Sequence, residues 1–240
     1  MIHGVELGRL GCRAAARGPA GGVLLSDQLA PALAEALADA PEPGPLVIAV
    51  PGTLDDVRRR AVRADAEALG HTVLRIVSAP LAAALACDLP ARAGRFAVFD
   101  LGEDAFDFRV LAVDGDGVVE VRGAVAEEAV GGAAMDRAVA RTLLSELGER
   151  AEPRTVAAVA GAAGDARVAL AHHFSVALEC VLPSGRRVQS RLNRHRFAHC
   201  VEPLLDRLAR LCHDALDEAG LRTDEIDEVI LVGDGARAPW

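Results

Sequence analysis

Apolar positions along this 240-residue chain switch between a period of two and a period near 3.6, and the switches mark out its elements. Residues 2–7, 12–17 and 22–25 predict three short strands, the first two joined by a turn at 8–11. Ser26 or Asp27 then caps a predicted helix reaching about Ala40, which the Pro-Glu-Pro-Gly-Pro stretch at 41–45 must end. A continuous apolar run at 46–50 predicts a buried strand, followed by a helix capped near Thr53 and closed by Gly70. Residues 72–78 predict another strand, and Pro80 opens an alanine-rich helix to about Asp88. The order is βββαβαβα.

The order then restarts. Strands are predicted at 96–101, 106–113 and 118–125, with a Gly-Asp-Gly turn at 115–117. A helix begins near Gly132, a second covers 155–171, and strands fall around 175–182 and 187–190. A long helix covers 194–219, and 229–232 is a final apolar strand. Two segment pairs support an internal duplication. Glu6-Leu7-Gly8 and Asp100-Leu101-Gly102 each close a first strand with a carboxylate, Leu and Gly, and the run at 47–52 matches that at 229–234. The offsets are 94 and 182 residues, so the second half holds about 88 more before its fourth strand. An inserted subdomain at about 150–192 fits that excess. The reading gives a first half at 1–90 and a second at 91–240, cut short after its fourth strand.

Composition narrows the chemistry. All 26 basic side chains are Arg, alanine fills roughly a fifth of the chain, and lysine and tyrosine are absent. No lysine general base, Schiff base or P-loop lysine is available. A net charge of −9 argues against a nucleic-acid partner, whose phosphates need a basic face. No apolar run approaches the roughly 18 residues of a membrane span. Five cysteines without a C-x-x-C pair read as reduced thiols, and so as a cytoplasmic chain.

Two such halves, each with an acidic-Leu-Gly turn, resemble the actin-like (ribonuclease-H-like) ATPase architecture, an α/β fold. Within it, Val50-Pro51-Gly52-Thr53-Leu54-Asp55-Asp56, Arg59, Leu74-Arg75-Ile76 and Pro80 with Ala82-Ala83-Ala84 resemble the seventy-kilodalton heat-shock (DnaK-type) chaperones. The resemblance continues through Phe99-Asp100-Leu101-Gly102, Phe106-Asp107, Gly131-Gly132 and Asp136 to Leu231-Val232-Gly233 and Arg237-Ala238-Pro239. It implies a chaperone ATPase domain holding ATP or ADP with Mg²⁺. Asp100 and Glu6 would hold the metal through water, with Asp100 and Asp107 as catalytic carboxylates. Gly8, Gly102, Gly131 and Gly132 would line the phosphates, and Gly233, Gly235 and Arg237 would meet the nucleoside.

The chain departs from that pattern at several of these positions. The first phosphate turn reads Glu6-Leu7-Gly8-Arg9-Leu10, without the two hydroxyls that the resemblance implies. In the second, Glu103, Asp104 and Ala105 stand where the family has Gly, Gly and Thr. A carboxylate about 5 Å from a phosphate charge repels it by about 3 kcal/mol at an effective dielectric near 20. The alternative is that the acids recruit Mg²⁺ together with Asp100 and Asp107, and Arg9 would offset part of the repulsion. The family's catalytic lysine has no counterpart, Ala79 replaces a glutamate, and the adenine-gripping helix supplies only Arg167. Phosphoryl transfer depends on positioned cations and donors, so hydrolysis is expected to be impaired or lost. The rival reading is a nucleotide-free interaction module, or a truncated remnant without an independent role.

Other features have plainer readings. Pro51 and Arg59 resemble positions that relay nucleotide state to a substrate-binding domain, here read as inherited structure. His195 and His199 share a helix face, but Cys212 and His213 lie too far along that helix to complete a zinc tetrahedron. Arg186, Arg187, Arg191, Arg194 and Arg196 read as a solvated edge, with an acidic partner surface as the alternative. In a 3-2-1-4-5 sheet the strand at 229–232 would be an unpaired apolar edge, open to a protein partner or to self-association.

Overall fold

The computed structural model describes residues 2–8, 11–18, 21–24, 37, 43–87 and 89–239. Within residues 2–24 it describes only Val5 at the side-chain level. The helix expected from Ser26 or Asp27 and the turn at 8–11 lie largely outside these residues. The chain divides into two compact units, Met1–Ala93 and Gly94–Trp240.

The first unit is a five-stranded sheet in the order β3-β2-β1-β4-β5. β1 (Ile2–Gly8), β2 (Gly11–Gly18) and β3 (Gly21–Leu24) form an antiparallel meander. β4 (Pro45–Val50) and β5 (Thr72–Ser78) then add parallel to β1. Every second residue of β4 is buried, and Leu46, Ile48 and Val50 form the centre of this unit's core with Val5, Ala66 and Val73. α1 (Asp56–Ala68) is the crossover between the two parallel strands. Its cap is Asp55 rather than Thr53. Pro51 and Leu54 close a turn by the Leu54 N–H to Pro51 O bond, and this carries Thr53 out of reach. Asp55 Oδ1 accepts from the Arg58 N–H at 2.8 Å instead. Gly70, at φ +87°, ends the helix as expected. Pro80 sits in the first turn of α2 (Ala79–Ala86).

The second unit repeats the arrangement through four strands, in the order β11-β6-β7-β8. β6 (Gly94–Leu101), β7 (Ala105–Val113) and β8 (Val119–Glu128) are an antiparallel meander, and β11 (Glu228–Val232) pairs parallel with β6. Between β8 and β11 lie α3 (Gly132–Glu146), α4 (Pro153–Leu170), the hairpin of β9 (Ser175–Val181) and β10 (Arg187–Asn193), and α5 (Arg194–Ala219). The hairpin forms its own two-stranded sheet. One core joins these parts, with Phe99 edge-on to Phe106 at a ring separation of 4.9 Å.

α5 runs unbroken through Pro203, because apolar residues on both sides of it, Cys200 and Val201 before and Leu208 after, share the same buried face. It crosses β8 at Gly123, where a Cβ would lie 2.0 Å from the Ala215 carbonyl oxygen. Glu218 accepts from the Ala124 N–H at 2.9 Å beside that crossing, and Arg207 pairs with Glu127. The Arg186–Arg196 cluster is largely used within the chain. Arg186 bonds Glu149, Arg196 pairs with Glu146, and Arg194 donates to the Leu170 and Ala171 carbonyls under the Phe174 ring. Among the described residues no group of three or more His, Cys, Asp or Glu side chains could hold a metal ion, and no helix is long and apolar enough to cross a membrane.

Gly123→Ala forces a backbone carbonyl to move and should cost about 1–3 kcal/mol or more, read as a lowered urea midpoint for the second unit. The thiols give a second expectation. Cys87 is exposed, whereas burial pushes the Cys212 thiol up to about 11. Only a thiolate alkylates, so Cys212 labelling in the folded protein should rise about tenfold per pH unit until pH approaches that value. Mass spectrometry after iodoacetamide treatment at pH 8 should find Cys87 modified and Cys212 intact.

Candidate functional site

Three segments of the second unit converge on the turn between β6 and β7. The first is the turn itself, Leu101 to Ala105, closed by the Gly102 N–H donating to Ala105 O at 2.9 Å. The second is the start of α3. Gly131 is its N-cap without a side-chain cap, and the Gly132 and Ala133 N–H groups donate to the Gly102 and Glu103 carbonyls at 3.0 and 2.8 Å. Helix starts leave unsatisfied N–H groups, and here two of them are met by the turn's own backbone. The third is the segment after β11. Gly233 has φ +86°, and a Cβ there would lie 2.3 Å from Leu101 O and 2.9 Å from an Asp100 carboxylate oxygen. Gly235 packs on the same Leu101 carbonyl. The glycines are needed because backbone passes this close to backbone.

Charge in this site is arranged around Arg167. The residue sits on α4 in the apolar stripe of Val159, Ala163, Ala166 and Leu170, and only 5% of it is exposed. Its Nε donates to Asp136 Oδ1 at 2.9 Å and its Nη2 to Asp136 Oδ2 at 3.1 Å. The same Nη2 donates to Glu103 Oε2 at 3.0 Å. Gly164 makes room for the Asp136 carboxylate, since a Cβ there would lie 2.8 Å from Oδ2. Gly132 makes room for the other pair, with Glu103 Oε2 2.5 Å and Arg167 Nη2 2.7 Å from its would-be Cβ. Burial pushes the Asp136 carboxyl up from its ordinary range, and the Arg167 hydrogen bonds draw it part of the way back. Burial alone would lower the Arg167 pKa, but Asp136 and then Glu103 raise it, so it stays charged.

The expected site residues are distributed as follows. Asp100 lies directly across the ladder from Asp107, and across β11 from Val232. Asp107 forms a close ion pair with Arg109, Oδ1 to Nε at 2.6 Å, two residues along the same strand. Gly102, Gly131, Gly132, Gly233 and Gly235 come together around the turn, and Arg237 is exposed on the one-turn helix Gly235–Arg237. Glu6 and Gly8 lie on β1, where Glu6 pairs in register with Arg13 and Ala49; their side-chain positions and Arg9 fall outside the described residues.

Arg167, expected at an adenine-gripping helix, is held by two carboxylates. Glu103, expected either to repel phosphate or to recruit Mg²⁺, is bonded to that arginine. A sequence signal for this existed: a charged residue in an otherwise apolar helical stripe needs a buried partner.

A further groove, in the first unit, was not anticipated. Arg59, Arg60, Arg63 and Arg75 with Asp56, Leu74 and Ile76 line an open depression of about 370 Å³ between α1 and β5.

Comparison with known proteins gives a consistent match. The family model described as Hsp70 protein matches residues 33–240. A chaperone protein HscA homolog of Acidithiobacillus ferrooxidans is 37% identical over 204 residues, covering 82% of this chain and 32% of that protein. A chaperone protein DnaK of Thermus thermophilus is 33% identical over 207 residues, covering 80% and 34%. The chaperone protein HscA of Escherichia coli is 33% identical over 197 residues, covering 81% and 31%. The chain spans about a third of the length of these curated relatives.

Removing Asp136 would leave a buried guanidinium half-paired, so Asp136→Ala should cost about 3–5 kcal/mol. Glu103→Gln, at the exposed side of the same arginine, should cost about 1 kcal/mol or less. Urea unfolding of both variants checks the contrast.

Proposed function

The chain belongs to the Hsp70 family, and on that premise we propose that it is a cytoplasmic chaperone ATPase-domain homologue that holds ATP or ADP weakly and does not turn it over efficiently. The observation that carries this reading is the state of the β6–β7 turn. Its Gly102 N–H is spent on Ala105 O, and the first two N–H groups of α3 are spent on turn carbonyls. The turn presents Glu103 and Asp104 where a phosphate cradle needs donors. These residues do not fit a tightly held Mg-triphosphate. Asp107, which would offer oxygen to a metal, is already neutralised by Arg109. The turn Gly233 to Arg237 keeps two close-packed glycines and an exposed arginine, and this supports residual affinity for a nucleoside phosphate. With no lysine in the chain, the cation that the family resemblance implies for catalysis is missing.

A second reading, a nucleotide-free interaction module, is favoured by a separate observation. Among the described residues β11 pairs only with β6, and its Val229 and Leu231 are 52% and 65% exposed. Such an apolar edge pairs readily with another strand. The arginine-lined groove of the first unit suits an acidic protein segment in the same role.

Calorimetric titration with Mg-ATP separates the two. The first reading expects a dissociation constant of ~1 mM, about 4 kcal/mol of binding, and no turnover above background. No heat at millimolar nucleotide overturns it. Combining Glu103→Gly, Asp104→Gly and Ala105→Thr should tighten binding about tenfold or more, because two repelling charges are removed. The second reading expects self-association in light scattering that Leu231→Lys abolishes.

A further inference from the structure

We propose that the Glu103 carboxylate is a built-in occupant of an oxyanion site formed by Arg167 beside Gly132, so that an external phosphate-type anion enters only by displacing it. The inference concerns the same turn as the proposed function but does not require nucleotide to bind.

Four observations carry it. Arg167 is fixed from behind: two hydrogen bonds to Asp136, itself only 5% exposed, set the plane of the guanidinium and aim Nη2 at the turn. The carboxylate it meets there comes from a loop residue, and the Glu103 side chain is 36% exposed against 7% for Asp136. One partner of the arginine is therefore structural and the other replaceable. The first N–H groups of α3 beside the carboxylate are taken by backbone carbonyls, so Arg167 is the donor the carboxylate meets there. Finally, Gly132 leaves space just where any other residue would strike both Glu103 Oε2 and Arg167 Nη2. Arginine and glycine together make a site for a negatively charged oxygen group, and one is already present on a tether.

A tethered ligand competes at high effective concentration with any ligand from solution. The chain as it stands should accordingly show almost no affinity for inorganic phosphate, and clearing the tether should reveal the site. Asp104 supplies the control. It adjoins Glu103 and carries the same charge, yet no hydrogen bond or ion pair links it to Arg167. Loss of negative charge in general would therefore act equally through either residue.

The test is calorimetric titration of the full chain with inorganic phosphate at constant ionic strength, comparing the unaltered protein with Glu103→Ala and Asp104→Ala. Both substitutions are on a partly exposed turn, and circular dichroism confirms folding. The expected result is a gain of at least tenfold in phosphate affinity for E103A over both the unaltered chain and D104A. Three results overturn the proposal: no binding by E103A, equal gains in E103A and D104A, or binding by the unaltered chain as tight as by E103A. The readout uses no nucleotide, so its failure leaves the weak-nucleotide reading standing, and failure of the Mg-ATP titration leaves this one standing.

Discussion

Arg167 sets the arrangement of the second unit around its site. A guanidinium this deeply buried cannot be left without a partner, and Asp136 supplies one in a two-point geometry that fixes α4 against α3. The close approach has a backbone requirement, met by Gly164 under the aspartate and Gly132 beside the arginine. With the guanidinium fixed, the second N–H of Nη2 is aimed at the turn. Glu103 satisfies it there, and the path of the β6–β7 turn follows from that bond and from the two turn carbonyls that cap α3.

Family membership and site chemistry thus pull apart. The sheet orders, the glycines at the turns and the paired Asp100 and Asp107 keep the architecture of a duplicated nucleotide-binding fold. The charges inside it have been rebalanced with side chains. Arg109 lies against Asp107, and Glu103 lies against Arg167, so anion and cation positions are filled from within. On the proposed reading, a nucleotide entering such a site has to break existing pairs before it makes its own.

Much of the fold was legible in the sequence because it rests on local period. The switch from alternation to helical spacing placed β4, β5, β6, β7 and α5 within a residue or two, and the same patterning found the strands of the β9–β10 hairpin. Cap chemistry was less accessible. Thr53 and Asp55 are both good caps by type, and only the turn closed by Leu54 N–H on Pro51 O decides between them. Motif spacing singled out Gly102, Gly131, Gly132, Gly233 and Gly235, which the fold brings together around one turn. It missed the bonds of Arg167, because Glu103, Asp136 and Arg167 are far apart in the chain and meet only through the packing of α3 on α4. The buried position of an arginine among Val159, Ala163 and Leu170 was the one local sign of them.

The central claim is that Glu103 and Arg167 are energetically coupled, and a double-mutant cycle measures this directly. Urea unfolding of the unaltered chain, Glu103→Gln, Arg167→Met and the double variant separates the pair term from the cost of disturbing the buried arginine. The account predicts a favourable coupling of about 1 kcal/mol. A coupling within about 0.3 kcal/mol of zero would show that the two residues act independently, and would contradict it.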